Sequence, residues 1–347
     1  MAFSRQDTEC MALALKLSKK GRASVGANPM VGCVITCDGK IIAKDYHRYY
    51  GKAHAEVNAL NQIKHQAKGA KLYVTLEPCS HQGKTPPCTK ALIKAGLKKV
   101  FVAMLDPNPM VSGRGVKLLK DASIEVDIGL LQSEAMELNR GFVKRMKTGR
   151  PFVTSKIAMS LDGGTAMSDG ESQWITSKAA RLDVHKLRSD NQAIMTGSGT
   201  IINDNPKMTA RLNDSETNPL RVIVDSGNMI SDQKLNIFSS DASTLILNDD
   251  NSSILPNGKI DLKLALIKLG DMGINNLLLE SGSGLNGAML EAGLIDEFII
   301  YTAPVILGSD TKPMIEIPLN KISEKIQLNI LDIRKIGEDI KIKALLK

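Results

Sequence analysis

Three scarcities narrow what this sequence can be. No apolar run approaches the roughly 20 residues that cross a bilayer, and Met1 to Lys20 lacks a charged start, a continuous apolar stretch and a small-residue cleavage site. No membrane association is expected, and a cytoplasmic location is. Cysteine is scarce too: there are five in 347 residues. An intracellular cysteine cluster points to a metal or catalytic site rather than to a disulfide framework. Aromatic residues make up 3% of the chain, leaving few platforms on which unpaired bases could stack. The formal net charge of +8 therefore suggests attraction for a small phosphorylated anion rather than a nucleic acid. A merely solvated basic surface is the alternative.

The rest of the composition, 43% hydrophobic and 24% charged with 28 Gly and 13 Pro, is that of a globular protein. The length suggests two domains. Apolar residues recur at helical spacing from Asp7 to Lys20, and short β-rich runs follow at Met30–Thr36, Lys40–Lys44, Lys71–Leu76 and Lys99–Met104. Asp38-Gly39 marks a hairpin between the first two runs, and Thr89–Leu97 is helical. One helix is expected over Gln132–Lys147, ending at Thr148-Gly149-Arg150-Pro151. The domain boundary is placed there, giving domains 1–148 and 151–347. In the second, strands at Phe152–Met159, Ala193–Thr196, Arg221–Asp225, Thr244–Leu247 and Asn276–Glu280 alternate with helices at Ser177–Ser189 and Leu262–Met272. Both domains read as α/β.

The chemistry of the first half rests on His54-Ala55-Glu56 and on Cys79 and Cys88 within the Pro78–Cys88 segment. One neutral imidazole and two thiolates suit zinc, and a catalytic site with three protein ligands leaves the fourth tetrahedral position for water. Glu56, two residues after His54, can place its carboxylate beside that water from the first turn of a helix. Zinc lowers the pKa of bound water from about 15.7 to about 7, on the order of 12 kcal/mol of activation. A single carboxylate can then move each proton that hydrolytic deamination of an amidine-like ring carbon requires. Taken singly, these residues are also compatible with core cysteines or a closed structural site. Cys10, Cys33 and Cys37 have no nearby histidine and read as ordinary thiols.

In the second half, Gly282-Ser283-Gly284-Leu285-Asn286-Gly287 follows a strand and opens a helical run, as a phosphate-binding loop does. A Rossmann domain would carry it in its first βα unit, so that fold is disfavoured. On pattern alone, a glycine-rich turn without a ligand remains open.

The chain resembles the bifunctional riboflavin-biosynthesis deaminase/reductases. The first half does so through Ala27-Asn28-Pro29-Met30-Val31-Gly32, His54-Ala55-Glu56, the Pro78–Cys88 segment with Thr85-Pro86-Pro87, and Asp106-Pro107-Asn108-Pro109 followed by Gly113 and Gly115. The second half does so through the Lys156–Gly163 run, Ser172 with Trp174, Gly197-Ser198-Gly199-Thr200, Asp204-Asn205-Pro206, Arg211, Asp225-Ser226 and the glycine loop. The resemblance implies a cytidine-deaminase-like α/β/α domain followed by a dihydrofolate-reductase-like α/β domain. It implies one zinc ion per chain on His54, Cys79 and Cys88, with Glu56 catalytic, and a deaminase substrate pocket of Asn28, His47, His81, Lys84, Asp106 and Asn108. For the reductase it implies NADPH at Ala158, Trp174, Thr200, Asp204, Ser226, Gly282, Ser283, Gly284, Leu285, Asn286, Gly287 and Ala288. Substrate contacts there would be Lys156, Ser172, Arg188, Met208, Arg211 and Glu280, with Arg188 and Arg211 offering guanidinium forks to a phosphate. The proton donor of the reduction is left open among Lys156, Asp204, Glu280 and water. The expected partner is a small phosphorylated pyrimidine, and a homo-oligomer is expected. A tRNA or nucleoside deaminase with a non-catalytic C-terminal module is the alternative. The sequence departs from the family after Asp225-Ser226, where Gly227-Asn228-Met229 stands in place of an expected Arg.

Overall fold

In the computed structural model, which describes residues 3–109, 111–212 and 218–347, the chain divides into two units, Met1–Thr148 and Gly149–Lys347. The first begins with α1 (Arg5–Ser18), started by a reciprocal cap. The Ser4 hydroxyl accepts the Asp7 N–H while the Asp7 carboxylate accepts the Ser4 N–H, satisfying two amides that a helix start leaves unpaired. β1 (Gly32–Cys37) and β2 (Lys40–Tyr46) form an antiparallel hairpin. Its turn residues Asp38 and Gly39 have φ of 48° and 76°, the double positive φ that such a two-residue turn needs. β3 (Lys71–Val74) pairs antiparallel with β1, and β4 (Lys99–Val102) and β5 (Glu125–Ile128) follow parallel to it, so the sheet order is β2-β1-β3-β4-β5.

Around this sheet lie α2 (Ala55–Gln62), α3 (Cys88–Lys94), α4 (Arg114–Asp121), α5 (Gln132–Leu138) and α6 (Arg140–Thr148). Met11, Ala14, Val34, Leu60, Leu72, Val100 and Leu119 are among the fully buried side chains of the core. The single helix expected over Gln132–Lys147 is two helices, broken at Asn139. The buried Asn139 amide binds the Met30 main chain in both directions, accepting its N–H at 2.8 Å and donating to its carbonyl at 3.0 Å. Apolar periodicity on either side gives no hint of that tertiary bond.

The second unit contains β6 (Phe152–Met159), β7 (Gly164–Met167), α7 (Lys178–Asp190), β8 (Ala193–Gly197), α8 (Ser198–Asp204), β9 (Leu220–Val224) and β10 (Thr244–Leu247). These are followed by α9 (Leu262–Asp271), β11 (Asn276–Leu279), α10 (Ser283–Glu291), β12 (Glu297–Thr302), β13 (Thr311–Pro313), β14 (Leu328–Ile336) and β15 (Asp339–Leu346). Eight strands form one sheet in the order β10-β9-β8-β11-β6-β12-β15-β14, and β7 pairs with β13. The first six run parallel and the last two antiparallel. The central strands, such as Leu277-Leu278-Leu279, are buried on both faces and read as continuous apolar runs. Among the described residues no helix is long and apolar enough to cross a membrane.

Candidate active sites

In the first unit, His54 is the N-cap of α2, Cys79 lies after β3, and Cys88 is the first residue of α3. Nδ1 of His54 stands 3.5 Å from Sγ of Cys79 and 3.3 Å from Sγ of Cys88, and the three donor atoms lie within 4.8 Å of one another. Zinc–sulfur and zinc–nitrogen bonds in a tetrahedron put such atoms about 3.6 Å apart, so the donor set fits the ion in type and spacing. The Cys88 N–H donates to Sγ of Cys79 at 3.2 Å. Hydrogen bonding from Cys88, then from His54, holds the Cys79 thiol well below its ordinary value although burial opposes it. It is thus primed as a thiolate.

Glu56, at the second position of α2, is 3% exposed. Burial pushes its carboxyl up to about 7, against the pull of His54. A group of that strength can both take and give protons near neutrality.

All six residues expected around the deaminase substrate line one cleft of about 450 Å³ together with His54, Glu56 and Cys79. Nδ2 of Asn28 lies 3.0 Å from Nε2 of His47, whose Nδ1 meets the Ala53 carbonyl at 3.2 Å. Burial pushes Asp106 upward, opposed by the Asn108 N–H that its carboxylate accepts at 2.9 Å. The Lys84 ammonium sits 4.2 Å above the Tyr50 ring. The sequence did not single out Lys52, Glu77 or Arg145, which also line the cleft. Arg145 donates to the Ala27 carbonyl at 2.8 Å. No local motif marks it, because its helix reaches the cleft only through tertiary packing. The other cysteines, Cys10, Cys33 and Cys37, are free thiols that do not line the cleft.

In the second unit the carboxyl ends of β6, β8 and β11 open on a cleft of about 960 Å³, where an open parallel sheet presents its ligands. Lys156, Ala158, Ser172, Trp174, Arg188, Thr200, Asp204, Met208, Arg211, Glu280 and Gly282 to Leu285 all line it. Ser226, Asn286, Gly287 and Ala288 do not. Ser226 accepts the Ile260 N–H at 3.3 Å. Asn286 is buried and shapes the turn, donating to the Ser281 carbonyl at 2.8 Å and accepting from the Ser155 hydroxyl at 2.7 Å. A Cβ on Gly287 would meet the Glu316 carbonyl oxygen at 1.8 Å, so this glycine permits backbone packing rather than ligand approach. Where the family's Arg was expected, the Asp225 carboxylate instead accepts the N–H groups of Met229 and Ile230, both at 3.0 Å.

The Arg188 fork is engaged by a carboxylate of the protein itself. It grips Glu280 through two bonds, of 2.7 and 3.0 Å, and Lys156 stands 3.5 Å from the same carboxylate. Burial alone would raise Glu280, but Arg188 and Lys156 hold it down at about 2. Glu280 is thereby fixed as an anion. For a dinucleotide, the cleft offers a glycine turn where Cβ atoms at Gly282 would meet nothing within 4 Å, at the start of α10. It also offers the buried Ser281 hydroxyl, which has no hydrogen-bond partner among the described residues. Both features fit a phosphate-bearing cofactor.

Residues 4–104 match the family model of the cytidine and deoxycytidylate deaminase zinc-binding region, and residues 151–342 match that of the RibD C-terminal domain. The riboflavin biosynthesis protein RibD of Escherichia coli is 43% identical, with 96% of this chain and 98% of that protein covered. The chain belongs to the RibD family. The Haemophilus influenzae RibD is 40% identical over 99% of this chain and 98% of its own. Acinetobacter baumannii RibD superposes with a TM-score of 0.92 at 40% identity, and a Thermotoga maritima diaminohydroxyphosphoribosylaminopyrimidine deaminase/5-amino-6-(5-phosphoribosylamino)uracil reductase with 0.90 at 32%. Each covers 99% of both chains. RibD membership makes the first unit cytidine-deaminase-like and zinc-binding, and the second a reductase domain of the NADPH-dependent kind.

Proposed function

We propose that this RibD-family chain carries out two consecutive steps of riboflavin biosynthesis, deaminating a diaminohydroxy-phosphoribosylamino-pyrimidine and then reducing the ribosyl group of the product to a ribityl chain with NADPH. Residues 1–148 are assigned the first step and 151–347 the second. The observation that carries this assignment is the His54, Cys79 and Cys88 constellation beside a buried Glu56, in a chain that also has a second cleft in its RibD C-terminal domain. The alternative, an RNA or nucleoside deaminase with an inert second half, leaves that cleft and its Arg188–Glu280–Lys156 cluster without a purpose.

For the first step, His54, Cys79 and Cys88 are assigned to hold zinc, which when bound activates water at neutral pH. Glu56 takes one proton from the attacking water and gives it to the ring nitrogen, then takes the remaining hydroxyl proton as the carbonyl forms and gives it to the amino group, which leaves as ammonia. Asn28, His47, His81, Lys84, Asp106 and Asn108 hold the pyrimidine and its phosphoribosyl arm. For the second step, Gly282 to Leu285, Trp174, Thr200 and Asp204 bind NADPH, which supplies the hydride. Lys156, Ser172, Met208 and Arg211 orient the substrate, and Glu280, clamped by Arg188, fixes the Lys156 ammonium. Feeding the diaminopyrimidine with NADPH should release ammonia first and consume NADPH only afterwards. Ammonia release from RNA alone would overturn the assignment.

The chain is further assigned to self-association through β14, an edge strand exposing Ile330, Leu331 and Ile333. Asp332 and Arg334 flank Ile333, so an antiparallel copy centred there would face opposite charges. A monomer in sedimentation at micromolar concentration would refute this.

A further inference from the structure

Glu77 stands two residues before Cys79 on the wall of the deaminase cleft, with 6% of its surface exposed. Both of its carboxylate oxygens are taken by main-chain donors. Oε2 accepts the N–H groups of Asp106 at 3.1 Å and Gly113 at 2.9 Å, and Oε1 those of Gly115 at 2.8 Å and Val116 at 3.1 Å. The last two are first-turn amides of α4, whose N-cap, Gly113, offers no side chain of its own and sits at φ 79°. A carboxylate at that position also meets the positive end of the helix. The junction is close-packed as well: a Cβ on Gly115 would lie 2.1 Å from the Pro78 carbonyl oxygen. Two separate stretches, the Asp106–Asn108 turn and the start of α4, are thus hung on the residue beside the Pro78-Cys79 step.

We infer that Glu77 is a positioning residue for the deaminase step, holding Asp106 and Asn108 in register with the metal-binding segment so that the pyrimidine is gripped. The inference rests on the assignment of Asp106 and Asn108 as substrate contacts. Four N–H groups converge on two oxygens, an arrangement that a carboxylate satisfies and a carboxamide cannot. In Glu77→Gln the NH2 group would point its own hydrogens at two of the donors. The Asp106–Asn108 turn would loosen while His54, Cys79, Cys88 and Glu56 keep their places, so substrate binding should suffer rather than proton transfer.

The test uses the full-length, zinc-loaded chain and follows ammonia release against concentration of the diaminopyrimidine substrate. Wild type, Glu77→Gln, Asn108→Ala and the double variant are compared. Zinc stoichiometry is measured for each, and NADPH oxidation with the deaminated substrate checks that the second unit is intact. Glu77→Gln should keep one zinc per chain, raise KM on the order of tenfold or more, and change kcat by less than about threefold. In the double variant KM should rise no further than in Asn108→Ala, because both changes remove the same grip. An unchanged KM in Glu77→Gln, zinc loss from it, or KM increases that multiply in the double variant would each overturn the role given to Glu77. If Asn108→Ala itself leaves KM unaltered, it is the assignment of the substrate pocket that fails, and the inference with it. Gly115→Ala probes the same junction from the α4 side should Glu77→Gln not accumulate. It should raise KM with zinc retained, and an unaltered KM there counts against Glu77.

Discussion

The two clefts do different amounts of chemistry with protein atoms. On the proposed assignment, the first unit holds the ion that activates the nucleophile with one imidazole and two thiols and leaves the proton transfers to Glu56, all within one small volume. In the second the hydride belongs to the cofactor, and the protein supplies a wide cleft, a glycine turn and a charge cluster. Loss of the metal or of Glu56 should therefore be severe in the first cleft, and loss of a single side chain graded in the second.

Zinc removal is the most severe way to test that contrast. Dialysis against a chelator should abolish ammonia release and leave NADPH oxidation with the deaminated substrate unaffected, since none of the metal-site residues lines the second cleft. Parallel loss of both activities would show that the units are not chemically independent. Glu56→Gln comes next. It keeps the shape of the side chain but cannot ferry a proton, so kcat for deamination should fall about 10²- to 10⁴-fold with one zinc still bound. A fall of less than tenfold would assign the proton transfers elsewhere.

This difference in chemistry also explains what could be read before folding. His54-x-Glu56 and the two cysteines sit at the starts of helices or beside them, so short spacings carry nearly the whole first site. Six pocket residues inferred from family likeness share that cleft. Glu77 and Arg145 stayed hidden because their partners are main-chain groups far along the chain, such as Gly115 and Ala27. In the second half the glycine motif was visible, but pattern could not separate Gly282 and Gly284, which face the cleft, from Gly287, which makes room for Glu316. Most of the parallel strands announced themselves as apolar runs, but β5 and the fully buried β12 were not among the strands expected. The C-terminal hairpin of β14 and β15, with mixed and partly exposed side chains, gave no such signal.

Arg188→Met sharpens the comparison on the reductase side. Arg188 and Glu280 are only 13% and 10% exposed, so removing the guanidinium leaves a buried carboxylate with Lys156 as its remaining cation. A loss of about 3–5 kcal/mol is expected in denaturant unfolding of this unit, with NADPH oxidation weakened in proportion. Deamination should not change. A loss below about 1 kcal/mol would mean the cluster is solvated in solution.

The same cluster sets an acid limit. The Glu280 carboxyl is held at about 2 against an ordinary 4.5, so its contribution to stability is complete above the ordinary value. That contribution is lost as the pH falls from there through about 2. The difference in unfolding midpoint between wild type and Glu280→Gln should be constant above about pH 5 and shrink below it. A difference that stays constant to pH 2.5 would place the stabilisation outside this carboxylate.

The mildest effect belongs to Trp174, the one tryptophan of the chain, which is 68% exposed at the cleft with the Arg181 guanidinium 4.5 Å from its ring. Its contribution is a stacking surface rather than a chemical group, worth about 0.5–1.5 kcal/mol. Trp174→Ala should accordingly raise KM for NADPH about 2- to 10-fold, with kcat and deamination intact. In the wild type, NADPH should quench the fluorescence of this single indole, so titrating the cofactor gives an independent measure of the same contact. Full quenching together with an unaltered KM in the alanine variant would place Trp174 near the cofactor without a part in holding it. The second cleft would then rely on its glycine turn at the start of α10 together with Thr200 and Asp204.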